Sequence, residues 1–187
     1  MLPRVNWTTG ELEGEGVRIF EKTLAELDGI FAAPVPAEQR DRIAYRVQCW
    51  FPVPEGTTGG LFWGSTTIEA GDVDGEYYMT HGHLHRVRER AEYYVTVRGK
   101  GALLLMDEQR RTWLEAMAPG SLHYIAGGLA HRVVNTGSVP LTFVACWPSD
   151  AGHDYGEIRR LGFSARLRRI GGEPVLIPEG DNARAGD

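Results

Sequence analysis

Three histidines stand at alternate positions in Thr80-His81-Gly82-His83-Leu84-His85. On an extended segment, residues two apart project to the same side. Such a stretch presents three imidazoles together. Stacked titratable rings gain little from packing on one another, whereas neutral imidazole is a good ligand for a divalent metal. All six histidines of the chain fall between His81 and His153, a crowding that scattered placement does not produce. The bland alternative is a polar surface strand. Alternation by itself does not rank His81, His83 and His85 against one another as ligands.

Ligands of this kind need a scaffold that holds them. From about residue 44 onward, runs of five to eight residues rich in Val, Ile, Tyr, Trp and Thr alternate with turn clusters such as Gly71-Asp72-Val73-Asp74-Gly75, Pro119-Gly120 and Gly137-Ser138. Short strands at this spacing predict an all-β sandwich or barrel. Within Ala91–Val97, Glu92, Tyr94 and Thr96 share one face, while Tyr93, Val95 and Val97 share the other. The polar face is either solvated or lines a wet cavity. Gly99-Lys100-Gly101 reads as a hairpin turn. It is not a phosphate loop, because no helix follows it.

Ahead of the strands, Val17, Phe20, Leu24 and Leu27 recur at three- and four-residue spacing and Gly29 closes the pattern. That predicts a short helix, with a second one around Glu38 to Ile43 after the break at Ala33-Pro34-Val35-Pro36. The expected organisation is one domain. Residues 1–43 form an amino-terminal arm with short helices, residues 44–170 the barrel, and residues 171–187 a tail. Val175-Leu176-Ile177 is a candidate edge strand, and residues 179–187 are expected to fray.

The 187 residues are 42% hydrophobic and 24% charged, with a formal net charge of -5. A chain of this length buries a substantial core without disulfides. Its acidity argues against a general nucleic-acid or membrane-surface binder. No run approaches the roughly 18 apolar residues of a membrane span, and the first residues lack the layout of a signal peptide. Cys49 and Cys146, far apart, read as reduced thiols in a cytoplasmic protein. Arg159, Arg160, Arg166, Arg168 and Arg169 read as a solvated face, and Trp50, Trp63, Trp113 and Trp147 as core or dimer interface.

Downstream of the histidines, Glu92 is followed after six residues by Gly99. A stretch from Gly120 through Gly128 and His131 to Asn135 comes later, with Ala126 where a proline is usual. These pieces resemble the two motifs of the cupin superfamily. The resemblance implies an antiparallel jelly-roll β-barrel whose mouth holds one metal on three histidines and a glutamate. The common cupin spacer would select Glu89. Glu92 is preferred because it alone has a glycine at the next motif position and it begins a strand.

The stretch Glu76–His85 also resembles the signature of cupin-type glucose-6-phosphate isomerases, including a long six-residue spacer, Arg86 to Ala91, ahead of Glu92. Asn6–Gly10, Gly99-Lys100-Gly101, Ala130–Gly137, Asp150–Gly156 and Gly162-Phe163 match further phrases of that family, so the likeness runs from about residue 6 to about 165. It implies His83, His85, Glu92 and His131 as ligands of one divalent ion, Fe2+ first, with Mn2+, Zn2+ or Ni2+ as alternatives. His81 then becomes a neighbour. Sugar-phosphate contacts are implied at Thr66 (or Thr67), Thr80, Gly82, Tyr94, Trp147 and Tyr155. Trp147 stands in place of a family tyrosine, and another family tyrosine falls at Tyr45 or Gln48.

In this reading Glu92 is the base that moves a proton between C2 and C1, with Tyr94 and His153 as proton relays; a hydride shift is the alternative route. His123 reads as a satisfied barrel or interface histidine. A homodimer is implied, and exposed edge strands give an independent reason to pair. Competing readings are a mannose-6-phosphate isomerase, a cupin dioxygenase and a non-catalytic sugar-binding module.

Overall fold

The computed structural model describes residues 2–180, and the end of the expected frayed tail, residues 181–187, lies outside the described residues. The chain is an all-antiparallel jelly roll. One layer is a six-stranded sheet. Its order across the sheet is Leu122–Ile125, Glu92–Arg98, Leu141–Pro148, Leu61–Ile68, Ile43–Trp50 and Arg18–Thr23. The opposite layer starts with Thr112–Met117, Gly101–Met106 and Ala130–Asn135. It continues through the extended segment that holds the histidine cluster, bridged at Met79 to Val134 and at His83 to His131. That segment pairs onward, Glu76 with Arg168 in the strand Ala165–Ile170 and His85 with His153. Glu173–Pro178 closes that side as the expected edge strand around Val175–Ile177.

The central strands show why this arrangement is stable. Every residue of Gly101–Met106 and of Ala130–Asn135 is buried, so these strands are covered on both faces. Leu103, Leu104 and Leu105 each remove an apolar side chain from water, worth about 1.5–3 kcal/mol apiece. In Glu92–Arg98 the alternation is inverted relative to a solvated sheet. Glu92, Tyr94 and Thr96 are buried while Tyr93 is half exposed. The polar face therefore looks into the space between the layers.

Three local expectations are corrected. The stretch read as a helix from Val17 to Gly29 is the edge strand Arg18–Thr23, followed by a single 3-10 turn at Ala25–Leu27. Its pairing to Ile43–Trp50, with Phe20 opposite Val47 and Lys22 opposite Tyr45, outweighs the weak helical spacing. The second expected helix is likewise one 3-10 turn, Ala37–Gln39, before the strand that starts at Ile43. Gly99-Lys100 is not a hairpin. It carries the chain from one layer to the other, because Glu92–Arg98 and Gly101–Met106 belong to different sheets. At that corner Gly99 has φ 82°, and a side chain there would lie 2.6 Å from the Pro140 carbonyl oxygen.

The basic stretch is also divided. Arg159 and Arg160 are exposed on the short helix Gly156–Leu161. Arg166 is buried instead, with Nη1 donating to Glu76 Oε1 at 2.9 Å and to the Ile30 carbonyl at 2.8 Å, and Nε bonded to Glu179. Glu76 in turn accepts the Ala32 amide at 2.7 Å, so this network ties the amino-terminal segment to the carboxy-terminal hairpin. Of the tryptophans, Trp113 is exposed and Trp147 lines the interior cavity.

Candidate metal centre and cavity

Gly82, at φ 77°, interrupts the strand expected from Thr80 to His85, so only Leu84–His85 has regular pairing. His83 is instead fixed by a two-bond bridge, its amide to the His131 carbonyl at 3.1 Å and the His131 amide to the His83 carbonyl at 3.0 Å. Glu92 enters from the facing layer at the start of its strand. The result is four side chains, His83, His85, Glu92 and His131, with one donor atom each and all donors within 4.8 Å of one another.

The orientations of these side chains fit a metal. His85 Nδ1 lies 2.7 Å from the Arg90 carbonyl oxygen and His131 Nδ1 lies 3.1 Å from that of Leu129. A carbonyl only accepts, so each Nδ1 carries the proton and each Nε2 turns its lone pair inward. His131 Nε2 is 3.1 Å from His83 Nε2 and 2.6 Å from Glu92 Oε1. His85 Nε2 and Glu92 Oε1 are buried without a well-formed hydrogen bond. Buried polar atoms rarely go unpaired, and lone pairs aimed at one point are what a divalent cation satisfies. Three imidazoles and a carboxylate suit Fe, Mn, Zn or Ni.

Charge distribution agrees with this. Burial pushes the Glu92 carboxyl up, but His131 and His85 outweigh it and bring it down to about 2, so it is ionised. For His85 burial works against the proton, yet the Glu92 carboxylate 3.5 Å away raises its pKa overall. His83 is held neutral, first by desolvation and then by the neighbouring imidazoles. Tyr94, desolvated and beside Glu92, is held in its phenol form.

Above the four donors opens a cavity of about 450 Å3. Thr66, Thr80, Gly82, Tyr94, Trp147, His153 and Tyr155 all line it. The His153 ring packs on His83, with centroids 4.4 Å apart, and stacks on Tyr155 at 5.8 Å. This desolvation lowers its pKa. Where the sequence left pairs of candidates, one member of each lies away from the cavity. Thr67 bonds Thr142 at 3.1 Å, and Gln48 bonds the Leu12 backbone through both ends of its amide. Tyr45 lines the cavity.

Glu89 is exposed and apart from the donor group. His81 borders the cavity but stays outside that group, its Nδ1 2.9 Å from the Gly82 carbonyl. His123 sits in a structural network, 2.6 Å from Glu115 and 2.8 Å from Ser121.

Two cations of the cavity wall escaped the sequence reading, Lys22 and Arg132. Arg132 donates to the His81 carbonyl at 2.6 Å and covers the Phe163 ring at 4.6 Å. Its position directly after His131 was the available signal. Lys22 was hidden by the helical reading of its strand, since only the strand pairing sets it beside Tyr45.

Comparison with known proteins agrees with this architecture. A profile of the family "Glucose-6-phosphate isomerase (GPI)" matches residues 21–174. The glucose-6-phosphate isomerase of Pyrococcus horikoshii is 34% identical over 185 residues, 97% of this chain and 94% of that protein. The Pyrococcus furiosus enzyme is 35% identical over the same shares, and that of Thermococcus litoralis 33% identical over 92% of this chain and 91% of its own. Profile and relatives both span nearly the whole jelly roll and its donor group, and on that footing the chain belongs to the cupin-type glucose-6-phosphate isomerase family.

Proposed function

We propose that this chain interconverts glucose 6-phosphate and fructose 6-phosphate with the aid of one divalent metal, Fe2+ in the first instance, held by His83, His85, Glu92 and His131. The observation that carries the reading is the family match across the chain, coupled to four inward donors at the base of a cavity large enough for a hexose phosphate. When bound, the metal supplies a Lewis acid that polarises the sugar carbonyl.

The chain's own residues do the rest. Thr66, Thr80 and the Gly82 amide hold the phosphate end, with Tyr45 and Tyr155 beside them. His153, neutral at physiological pH, takes the O1 proton of the cyclic sugar and gives a proton to O5. The C1–O5 bond breaks and the open-chain carbonyl forms. Glu92 then removes the proton from C2 and returns it to C1, while the O2 proton passes to O1. Tyr94, beside the Glu92 carboxylate, keeps its proton. Trp147 closes one wall of the cavity.

A homodimer fits the surface. Leu122 and Tyr124 on the edge strand and Tyr93 beside them are more than half-way to full exposure or close to it, with Tyr93 and Tyr124 rings 5.2 Å apart. The free thiols Cys49 and Cys146 fit a cytoplasmic setting.

The decisive assay couples glucose 6-phosphate formation from fructose 6-phosphate to a dehydrogenase, with mannose 6-phosphate in parallel. Activity should vanish in EDTA and return with Fe(II) or Mn(II). Absence of isomerase activity in fully metallated protein would defeat the reading.

A further inference from the structure

The long spacer Arg86–Ala91 has no part in the chemistry above, yet it is bonded at both ends of the site. Two arginines of the spacer reach across to the segment that carries His153. Arg90 grips Asp150 in bidentate fashion, Nε to Oδ1 at 2.9 Å and Nη2 to Oδ2 at 2.7 Å. Arg88 donates through Nη2 to Asp154 Oδ2 at 2.7 Å and through Nη1 to the His85 carbonyl at 3.0 Å. Backbone bonds run alongside, from the Val87 amide to the Ala151 carbonyl at 3.0 Å and from the Arg86 amide to the Gly152 carbonyl at 3.3 Å. The same spacer turns back under the metal donors, where the Arg90 carbonyl accepts from His85 Nδ1 at 2.7 Å.

We infer that the spacer is a clasp, with Arg88 and Arg90 as positioning residues that lock the Asp150–Tyr155 segment, and so the His153 ring, over the donor group. The argument is geometric. His153 is paired to His85 through the backbone and packs its ring on His83. Yet Asp150–Tyr155 contains only a two-residue strand, His153–Asp154, too short to define a side-chain position by itself. A bidentate arginine–carboxylate pair fixes both distance and orientation. The bidentate anchor at Asp150 and the single Arg88 bond at Asp154 bracket His153. A three- or four-residue spacer would leave out residues that this clasp uses, which accounts for the six-residue length. Partners that orient a ligand or an acid–base group typically change affinity or activity by about 10–100-fold when removed.

This inference rests on the isomerase reading for its kinetic readout, so the test has a second readout that does not. Asp150→Asn and Asp154→Asn would be made singly and together. Asparagine keeps the acceptor that Asp154 Oδ1 offers the Gly156 amide at 2.9 Å, so the local turn survives. In the double variant kcat should fall about tenfold or more, while KM for fructose 6-phosphate changes less than threefold and metal content per chain is retained. In metal-free protein labelled with 15N-histidine, the His153 ring signal should shift or broaden while that of His123, remote from the clasp, stays in place.

An unmoved His153 signal overturns the clasp whether or not the parent chain is active. A kcat within twofold of the parent, or one that falls only in step with lost metal, overturns it as well. A parent without isomerase activity refutes the functional reading alone, and the His153 signal still decides the clasp.

Discussion

Replacing Glu92 with glutamine removes the negative charge at the centre of the donor group and leaves its shape. In the metal-free protein the cost follows from the environment. Burial opposes ionisation of Glu92, yet His131 and His85 bring its carboxyl from 4.5 to about 2. At about 1.4 kcal/mol for each tenfold change in the dissociation constant, the folded state gains about 3 kcal/mol from the ionised carboxylate.

The pH window has two edges. A lowered carboxyl stabilises the fold above its unfolded pKa, roughly 4.3, and that gain is lost as pH falls through about 2. His85, whose pKa the Glu92 carboxylate raises against the effect of burial, contributes fully below its unfolded value of roughly 6.5, and its share fades as pH rises through the folded value. The difference between parent and variant is therefore largest near pH 5.5. For a chain of this size, about 3 kcal/mol corresponds to a fall in Tm of roughly 6–12 °C.

Thermal unfolding of both proteins in EDTA at pH 2, 5.5 and 8.5 reads this directly. The Tm gap should be widest at pH 5.5, collapse at pH 2 and shrink at pH 8.5 only by the His85 share. Equal stability at pH 5.5, or a gap that ignores pH, would refute the placement of a charged carboxylate among these imidazoles. In the same preparations without chelator, the variant should retain less metal than the parent, as measured by plasma emission.

Two further outcomes follow from the structure. Arg166→Met leaves the buried Glu76 carboxylate without its cation and should destabilise the fold by about 3–5 kcal/mol in urea unfolding; a change under 1 kcal/mol would show that the Glu76–Arg166–Glu179 network is not a stabilising tie. If Glu92 transfers a proton between the two carbons, fructose 6-phosphate converted in D2O should yield glucose 6-phosphate carrying deuterium at C2, visible by NMR. Product with only substrate-derived hydrogen at C2 would point to a hydride shift instead.

Much of the site was legible because its signals are local and chemical. The crowded histidines, the glycine after Glu92 and the segment around His131 each announce themselves in a few residues. The all-β architecture was legible too, from runs of five to eight residues between turn clusters. Failures occurred where tertiary pairing overrode a local pattern. Arg18–Thr23 mimics a helix by spacing, and only the neighbouring strand reveals it as an edge. Arg166 looked like one of several surface arginines, since its partners lie 90 and 136 residues away at Glu76 and Ile30. The alternation argument for His81, His83 and His85 failed for a specific reason. It presumes a continuous strand, and Gly82 breaks that strand at a positive φ, leaving His81 beside the cavity and outside the donor group.

That break illuminates how the fold builds the site. A regular strand would have placed three imidazoles at equal spacing, a row and not a pocket. With Gly82 in a left-handed conformation, His83 is free to be fixed by its reciprocal bridge to His131, and His85 by the regular pairing with His153 and the Arg90 carbonyl. Each donor thus has an independent backbone anchor, and Glu92 completes the set from the opposite layer. The buried strands Gly101–Met106 and Ala130–Asn135 carry one of these anchors directly, since His131 belongs to the second of them. Rigidity at the metal donors is accordingly a property of the core, whereas in the proposed clasp alignment of His153 depends on partly exposed arginine–aspartate pairs. The two should respond differently to salt: ionic screening weakens partly exposed pairs far more than buried anchors, so rising ionic strength should erode turnover well before it releases metal.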